Sequence, residues 1–313
     1  MTFFAANIKK IILSTVIAIV LYFSFAIYID IDSISSFIGS LDITIIILIL
    51  ALSIINYFLR YLRWQLILEN IGITTPRLEN FKIYMSGFAL TATPGKAGEL
   101  VRSYFLKKHG VTHIKSIGAF ISERFLDLLT MVFLCLFGFS LLKNYSSFFL
   151  TILILILAIS SFVIFKETIF QYFNKLFKKN SKLLKGINTI SQILDNFYIS
   201  IYKKHFFQIL SLSVIGWLSE SIAFFILIKY LGLNLDIFLC IFIFSFSMVV
   251  GAATFLPGGL GGTEATMIFL LNLNGVGLIE STGITIFIRL ATLWFAVVLG
   301  IFFLSNLSMR YES

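Results

Sequence analysis

The sequence predicts an all-α polytopic membrane protein with about six full spans and two re-entrant broken-helix hairpins, related by an inverted internal repeat. Of its 313 residues, 59% are hydrophobic and only 12% are charged, and the mean hydropathy is +1.00. About a quarter of the residues in a soluble domain are charged, so this excess of apolar side chains requires a bilayer. Two Pro-Gly motifs interrupt apolar segments, and the sequences that follow them resemble each other.

Apolar segments of spanning length follow one another along the chain. They cover residues 11–29, 43–59, 116–142, 148–165, 206–231 and 281–304. Pro-Gly pairs stop two further segments, 83–93 and 237–256, and an apolar segment at 263–273 returns after the second pair. Since proline and glycine break helices, these interrupted segments predict the two hairpins.

The charged residues predict the orientation. Lys9 and Lys10 precede the first span, whereas the loop after it carries Asp30, Asp32 and Asp42. Lys and Arg concentrate in cytoplasmic loops, so we place the N-terminus in the cytoplasm.

Arg60 and Arg63 follow the second span, and we interpret them as the start of a cytoplasmic loop that continues through Glu69. Arg310 places the C-terminus on the same side. We therefore predict a multi-pass protein of the cell membrane with both termini in the cytoplasm.

The chain is interpreted as a single transmembrane domain, residues 1–313. Its first repeat half covers about 43–142, its second about 206–304, and a basic segment at 166–204 lies between them. Apolar residues recur at helical spacing in this segment, which predicts amphipathic helices on the inner membrane surface. A solvated loop that merely obeys the positive-inside rule is the alternative.

The internal repeat is visible in a gapless alignment of residues 99–134 with 264–299. Twelve of 36 positions are identical, whereas composition alone would give roughly three. Glu99 aligns with Glu264 and Arg124 with Arg289, so the Glu-to-Arg spacing is 25 residues in both halves. We predict that the two pairs are equivalent contacts.

Loop charge distinguishes the halves. Lys107, Lys108 and Lys115 align with Asn272, Leu273 and Glu280, so one copy has a basic loop and the other has none. The positive-inside rule then predicts inverted halves whose hairpins enter from opposite faces and meet near the middle. A duplication retained only for packing is the alternative.

The Pro-Gly motifs are candidate substrate-binding segments, because helices that restart inside a membrane aim N–H groups and a positive dipole end at an anion. A tight turn between two short helices is the structural alternative. The candidates are Pro94, Gly95, Lys96 and Gly98 in the first motif, and Pro257, Gly258, Gly259, Gly261 and Gly262 in the second.

Charged residues within the apolar segments are the second group of candidates. Each unpaired charge there costs about 2.5–3.5 kcal/mol, so we expect pairing. Such pairs could line a headgroup site, with proton coupling through a carboxylate, or could simply fix the hairpins. Glu220 is a weaker candidate because it stands alone in its span. The stronger candidates are Glu99, Arg102, Glu123, Arg124, Asp127, Glu264 and Arg289.

The sequence contains no constellation typical of an enzyme. It has no metal-ligand cluster, no His placed to serve a Ser or Cys nucleophile, and no nucleotide P-loop. We therefore expect no catalytic residues, no metal and no cofactor, and we expect no nucleic-acid partner.

Three motifs in order carry a resemblance to a known family: Thr-Pro-Gly-Lys-Ala-Gly-Glu-Leu-Val-Arg at 93–102, Glu-Arg-Phe-Leu-Asp at 123–127, and Leu-Pro-Gly-Gly-Leu-Gly-Gly-Thr-Glu at 256–264. They resemble the flippase-like family named for the transmembrane region of lysylphosphatidylglycerol synthase, the multiple peptide resistance factor. The resemblance covers nearly the whole chain. It implies movement of an aminoacylated or anionic phospholipid, or of a polyprenyl-phosphate-linked glycan. The synthase's soluble C-terminal domain makes its lipid, and we expect a membrane domain without it.

The leading hypothesis is a lipid flippase whose headgroup binds between the two hairpins, with Lys96 and Arg102 attracting phosphate. The alternatives are a lipid-modifying transferase resembling phosphatidylglycerol lysyltransferase, an accessory subunit of one, or a scaffold that uses the basic segment. The expected partners are membrane lipids with anionic headgroups and a lipid-synthesising enzyme, and the sequence is compatible with an oligomer.

Overall fold

A computed structural model describes residues 36–141 and 181–312. The spans predicted at 11–29 and 148–165 and the first part of the basic segment lie outside these residues. All regular structure in the described part is helical, which confirms the all-α class. Three of its helical stretches, Ile43–Asn70, Phe206–Tyr230 and Leu278–Leu307, are long and apolar enough to cross a membrane.

Ten α-helices make up the described fold. They are α1 (Ile43–Asn70), α2 (Arg77–Gly87), α3 (Val101–Lys107), α4 (His113–Cys135), α5 (Ser181–Tyr202), α6 (Phe206–Tyr230), α7 (Ile237–Ala253), α8 (Gly262–Leu273), α9 (Leu278–Arg289) and α10 (Phe295–Glu312). A π-helical turn, Leu290–Trp294, joins α9 to α10.

The prediction for the end of the second span is wrong. Helix α1 continues for eleven residues beyond Leu59, and Arg60 and Arg63 are buried inside the bundle instead of starting a loop. The physical reason is that both arginines contact Asp127 of α4, which replaces the water that a loop would provide.

Short 3-10 turns carry both Pro-Gly motifs. The first hairpin runs from α2 through Phe88–Leu90 and Pro94–Leu100 into α3, and the second from α7 through Pro257–Gly259 into α8. The helix leading to the first motif begins at Arg77, six residues before the predicted apolar segment, and ends at Gly87. Proline lacks an N–H group and glycine adopts left-handed backbone angles, so the chain turns at each motif and does not continue as an α-helix.

Two apolar clusters form the core. One contains Ile49 of α1 and Met131 of α4, together with side chains of α6 to α9. The other contains Trp64 of α1 and Leu126 of α4, together with side chains of α2, α3, α5 and α10. Asp127 of α4 therefore lies where the two apolar clusters meet. A polar site surrounds Asp127 at this depth in the bundle.

Helix α5 lies within the predicted basic segment, where the spacing of the apolar residues predicts a helix. Its side chains Phe197 and Ile201 are buried, and Gly118 of α4 lies so close that a Cβ there would be 2.7 Å from Asn196 Cβ. This helix therefore packs closely against α4.

Candidate functional site: a cavity between two Pro-Gly turns

The two Pro-Gly turns contact each other. The Cα of Ala92, just before the first turn, lies 3.5 Å from where a Cβ on Gly258 would be. Gly258 has φ +63°, and Gly95 in the first turn has φ +58°. Both are conformations that suit glycine, so the sequence dictates where the chain reverses.

A cavity of about 320 Å³ lies beside these turns, and we call it the central cavity. It is amphipathic, since charged side chains and an extensive apolar surface face the same space. Its lining residues are Thr93, Gly95, Lys96, Arg124, Asp127, Leu128, Met131, Trp217, Met248, Val249, Gly251, Ala252, Phe255, Leu256, Gly258, Gly259 and Thr263. A wide-open depression of about 800 Å³ lies elsewhere, between Ser36 and Glu280, and among the described residues its lining has a single charge, that of Glu280.

The charged part of the central cavity is formed by Lys96, Arg124 and Asp127. The indole of Trp217 connects them, since its Nε1 donates to Asp127 Oδ1 at 2.9 Å and the Lys96 ammonium lies 5.6 Å from its ring centroid. The Lys96 backbone has φ +56°, which strains a residue with a side chain. This strained conformation holds the ammonium beside the cavity.

The apolar part of the cavity reaches the outside of the bundle. Phe255 is 75% exposed and Leu256 is 48% exposed, and the neighbouring Ala252 is also exposed. Leu128, Met131 and Met248 continue the apolar lining inwards. In a bilayer, exposed apolar side chains contact lipid, so this side offers a path for acyl chains.

Seven residues at and behind the cavity wall, all largely shielded from solvent, form an ion network, which we call the arginine–carboxylate cluster. It consists of Arg60, Arg63, Arg102 and Arg124 with Glu99, Glu123 and Asp127. Arg63 Nη2 lies 2.8 Å from Asp127 Oδ1, and Arg102 Nη2 lies 2.6 Å from Glu99 Oε2. Buried charges need such pairing, so the cluster joins α1, α4 and the first hairpin.

Hydroxyl groups complete the coordination of two carboxylates. Tyr84 Oη donates to Glu123 Oε1 at 2.7 Å, and Thr91 Oγ1 donates to Glu99 Oε1 at 2.7 Å. These bonds fix the acidic side chains in place.

Arg124 is the arginine of the cluster that lines the cavity. Its Nη2 lies 3.0 Å from Glu123 Oε1 and 3.1 Å from Asp127 Oδ2, as its i,i+3 spacing to Asp127 predicts. Its distance to Glu99 Oε2 is 3.5 Å. Among the described residues, none of its nitrogens makes a hydrogen bond of good geometry. These nitrogens are shielded from solvent and lie against carboxylates, so Arg124 contributes positive charge to the cavity wall.

The second half has a simpler arrangement. Arg289 Nε donates to Glu264 Oε1 at 2.6 Å, so the predicted contact is present in both halves. Arg289 Nη2 also donates to the carbonyl oxygen of Gly258 at 2.6 Å. This guanidinium stabilises the second turn, because it satisfies a carbonyl that the broken helix leaves without a partner.

The backbone N–H groups expected to bind an anion are partly used by the protein itself. Glu264 Oε2 accepts from the Gly261 N–H at 2.7 Å, and Thr93 Oγ1 accepts from the Gly98 N–H at 2.7 Å. The cationic side chains beside the cavity are therefore better placed for an anion than the helix ends.

The candidates separate into two groups. Lining the cavity are Gly95, Lys96, Arg124, Asp127, Gly258 and Gly259. The other candidates support the turns or the cluster from outside the lining, namely Pro94, Gly98, Glu99, Arg102, Glu123, Pro257, Gly261, Gly262, Glu264 and Arg289. Arg102 packs between Trp64 and Tyr84 and so is not beside Lys96 in the cavity.

Sequence reasoning missed Arg60, Arg63 and Trp217. From the sequence we assigned the arginines to a loop, although their i,i+3 spacing places both on one helix face, which contacts Glu123 and Asp127. Trp217 carried no signal, since a tryptophan in an apolar segment is common.

No group of three or more potential metal ligands occurs among the described residues.

Fold and site together define a membrane-embedded helical protein with a charged cavity inside the bundle. The sequence model for the lysylphosphatidylglycerol synthase TM region matches residues 11–300, and the chain belongs to this family. A UPF0104 membrane protein of Methanothermobacter thermautotrophicus is 23% identical over 291 residues, covering 83% of this chain and 84% of that protein. A UPF0104 membrane protein of Methanocaldococcus jannaschii is 28% identical over 234 residues, covering 68% of this chain and 90% of that protein.

Proposed function

We propose that this protein moves a phosphate-bearing membrane lipid between the two leaflets, with the headgroup held in the central cavity. The observation that carries this proposal is the composition of the cavity wall. Lys96 and Arg124 lie on the same cavity as the outward-facing side chains of Phe255 and Leu256. A lipid has the same two parts as this cavity wall, a charged headgroup and apolar chains.

The position of the cavity supports movement as well as binding. It lies between two hairpins, and in many transporters broken helices of inverted halves form the substrate site near the bilayer midplane. We propose that the two repeat halves are inverted and that each hairpin controls access from one face. Rocking of one half against the other would expose the headgroup to each side in turn.

Family membership supports a lipid as the cargo, because the family is described by a lipid synthase's membrane region. We further propose that the protein resides in the cell membrane with both termini in the cytoplasm. A lipid-synthesising enzyme would deliver the cargo, as either an anionic or aminoacylated phospholipid or a polyprenyl-phosphate-linked glycan.

A liposome assay with fluorescent phosphatidylglycerol in both leaflets tests this function. Dithionite bleaches outer-leaflet label, so reconstituted protein should raise the bleached fraction above one half. Ala252→Trp, which fills the cavity mouth, should abolish this movement. Ala253→Trp is the matched control, because Ala253 is also exposed on α7 but does not line the cavity. Equal movement by both folded variants, or no movement by the unmodified protein, would contradict the proposal.

A further inference from the structure

We infer that the central cavity accepts a small phosphate headgroup of net negative charge and rejects an aminoacylated, net-cationic one, with Lys96 determining this specificity. The inference rests on the proposed function in one respect, that the lipid headgroup lies in the central cavity. It does not depend on movement of the lipid between the leaflets. It rests on the charge balance around the cavity, the position of Lys96 and the cavity's size.

Among the residues that the structure describes, the charges around the cavity do not balance. The arginine–carboxylate cluster has four guanidinium groups and three carboxylates, and the Lys96 ammonium adds a further positive charge. The Arg289–Glu264 pair of the second half is neutral. Uncompensated charge within a membrane is costly, so this excess favours an anion as the missing partner.

Glu220 does not remove the excess. This residue is 3% exposed on α6, and the charged groups that act on it are Arg60, Lys96, Arg289 and Asp127. Even if Glu220 is counted as ionised, one positive charge remains uncompensated in this group. The preference for an anion therefore holds for either protonation state of Glu220.

Lys96 is the cation that the ligand would meet directly. Within the described part of the chain its ammonium stacks on Trp217, and no carboxylate lies within salt-bridge distance. The positive charge of Arg124, which lines the same cavity, adds to that of Lys96, and the Lys96 ammonium is suited to phosphate oxygens. The ammonium groups of a lysyl ester would face these same cations and be repelled.

The volume restricts the headgroup further. A space of about 320 Å³ lies at the small end of the range of about 300–1,000 Å³ for ligand pockets. A phosphate with a glycerol fits such a space, whereas an oligosaccharide joined through diphosphate is several times larger. The cavity therefore favours a phosphatidylglycerol-like lipid over a glycan carrier.

Equilibrium binding of defined lipids to the purified full chain tests the inference. Native mass spectrometry would compare phosphatidylglycerol, lysyl-phosphatidylglycerol, a diphosphate-linked glycan lipid and free glycerol phosphate. We expect phosphatidylglycerol to bind roughly tenfold more tightly than the lysyl lipid, equivalent to about 1.4 kcal/mol, and more tightly than the glycan lipid. Free glycerol phosphate should bind more weakly still, because it lacks chains for the apolar part.

Variants identify the specificity residue. Lys96→Gln should reduce the preference for phosphatidylglycerol over the lysyl lipid by roughly threefold or more, through loss of one cation. Lys107→Gln is the matched control, because Lys107 is exposed outside the cavity and its loss should leave the ratio unchanged. An unchanged ratio in folded Lys96→Gln would overturn the role of Lys96.

Binding of the lysyl lipid or the glycan lipid as tight as that of phosphatidylglycerol would overturn the substrate class. Tight binding of free glycerol phosphate, or no binding by any lipid, would overturn the lipid site itself. The liposome assay distinguishes a failure of this inference from a failure of the proposed function. Selective binding without movement refutes the flippase, whereas movement of the lysyl lipid in preference refutes only the specificity.

Discussion

Arg289 donates a hydrogen bond from Nη2 to the carbonyl oxygen of Gly258 at 2.6 Å, and so joins helix α9 to the second Pro-Gly turn. Arg124, its counterpart in the repeat alignment, instead faces the central cavity with its nitrogens lacking good hydrogen bonds among the described residues. Equivalent sequence positions thus have different surroundings. We expect Arg289 to serve the fold and Arg124 to serve the ligand.

Replacing Arg289 tests its structural role. Arg289→Gln leaves the buried carboxylate of Glu264 and the Gly258 carbonyl without their partner, which should cost about 3–5 kcal/mol. The melting temperature in detergent should fall well below that of the unmodified protein. Arg77→Gln, on an exposed residue, is the control and should change it little. Equal melting temperatures for both variants would show that Arg289 is not structural.

Replacing Arg124 should give the opposite pattern. Arg124→Gln leaves three guanidinium groups against three carboxylates in the cluster, so the remaining charges balance. The melting temperature should therefore fall less than in Arg289→Gln, while lipid movement in liposomes should drop by roughly tenfold or more, a loss equivalent to about 1.4 kcal/mol. Full transport by folded Arg124→Gln would remove Arg124 from the binding site.

Arg63 should be essential for stability, although the sequence placed it in a loop. Its side chain is fully buried, and it contacts both Asp127 and the Ser213 hydroxyl. Arg63→Met removes the cation nearest to Asp127, which keeps Arg124 and Trp217 as partners, and should cost about 1–3 kcal/mol. Gln65→Met on the same helix is the control, because Gln65 donates an exposed hydrogen bond to Glu69. Similar melting temperatures for the two variants would contradict this assignment.

The first Pro-Gly turn offers two glycines with different constraints. A Cβ on Gly98 would lie 2.5 Å from Leu90 Cβ and 2.6 Å from the Leu90 carbonyl oxygen. Gly98→Ala should therefore cost about 3 kcal/mol. Gly95 has open space but φ +58°, so Gly95→Ala should cost only about 1 kcal/mol. Chemical denaturation in detergent compares them, and the reverse order would mean that the turn packs differently.

The sequence predicted the membrane class, the positions of both Pro-Gly turns and the two Glu–Arg contacts, because each depends on local composition or on repeat spacing. It could not distinguish the roles of Arg124 and Arg289, since these depend on what the opposite hairpin places beside them. It misassigned Arg60 and Arg63 because arginines that end an apolar segment have the same pattern whether they enter water or an ion network. The inverted orientation of the halves stays a prediction.

The meeting of the two turns around the cavity is the central claim, and a disulfide tests it most directly. A Cβ on Gly258 would lie 3.7 Å from Ala92 Cβ, within the range of about 3.5–4.5 Å for disulfides. Ala92→Cys/Gly258→Cys should therefore form an intramolecular disulfide in native membranes under mild oxidation, read by mass spectrometry. Ala92→Cys/Gly275→Cys is the control, because Gly275 also has a left-handed backbone but has nothing within 4 Å of its Cβ position. Bond formation in the first pair alone is the predicted result. The absence of a disulfide between the two introduced cysteines of that pair, with both thiols still reactive in the folded protein, would contradict it.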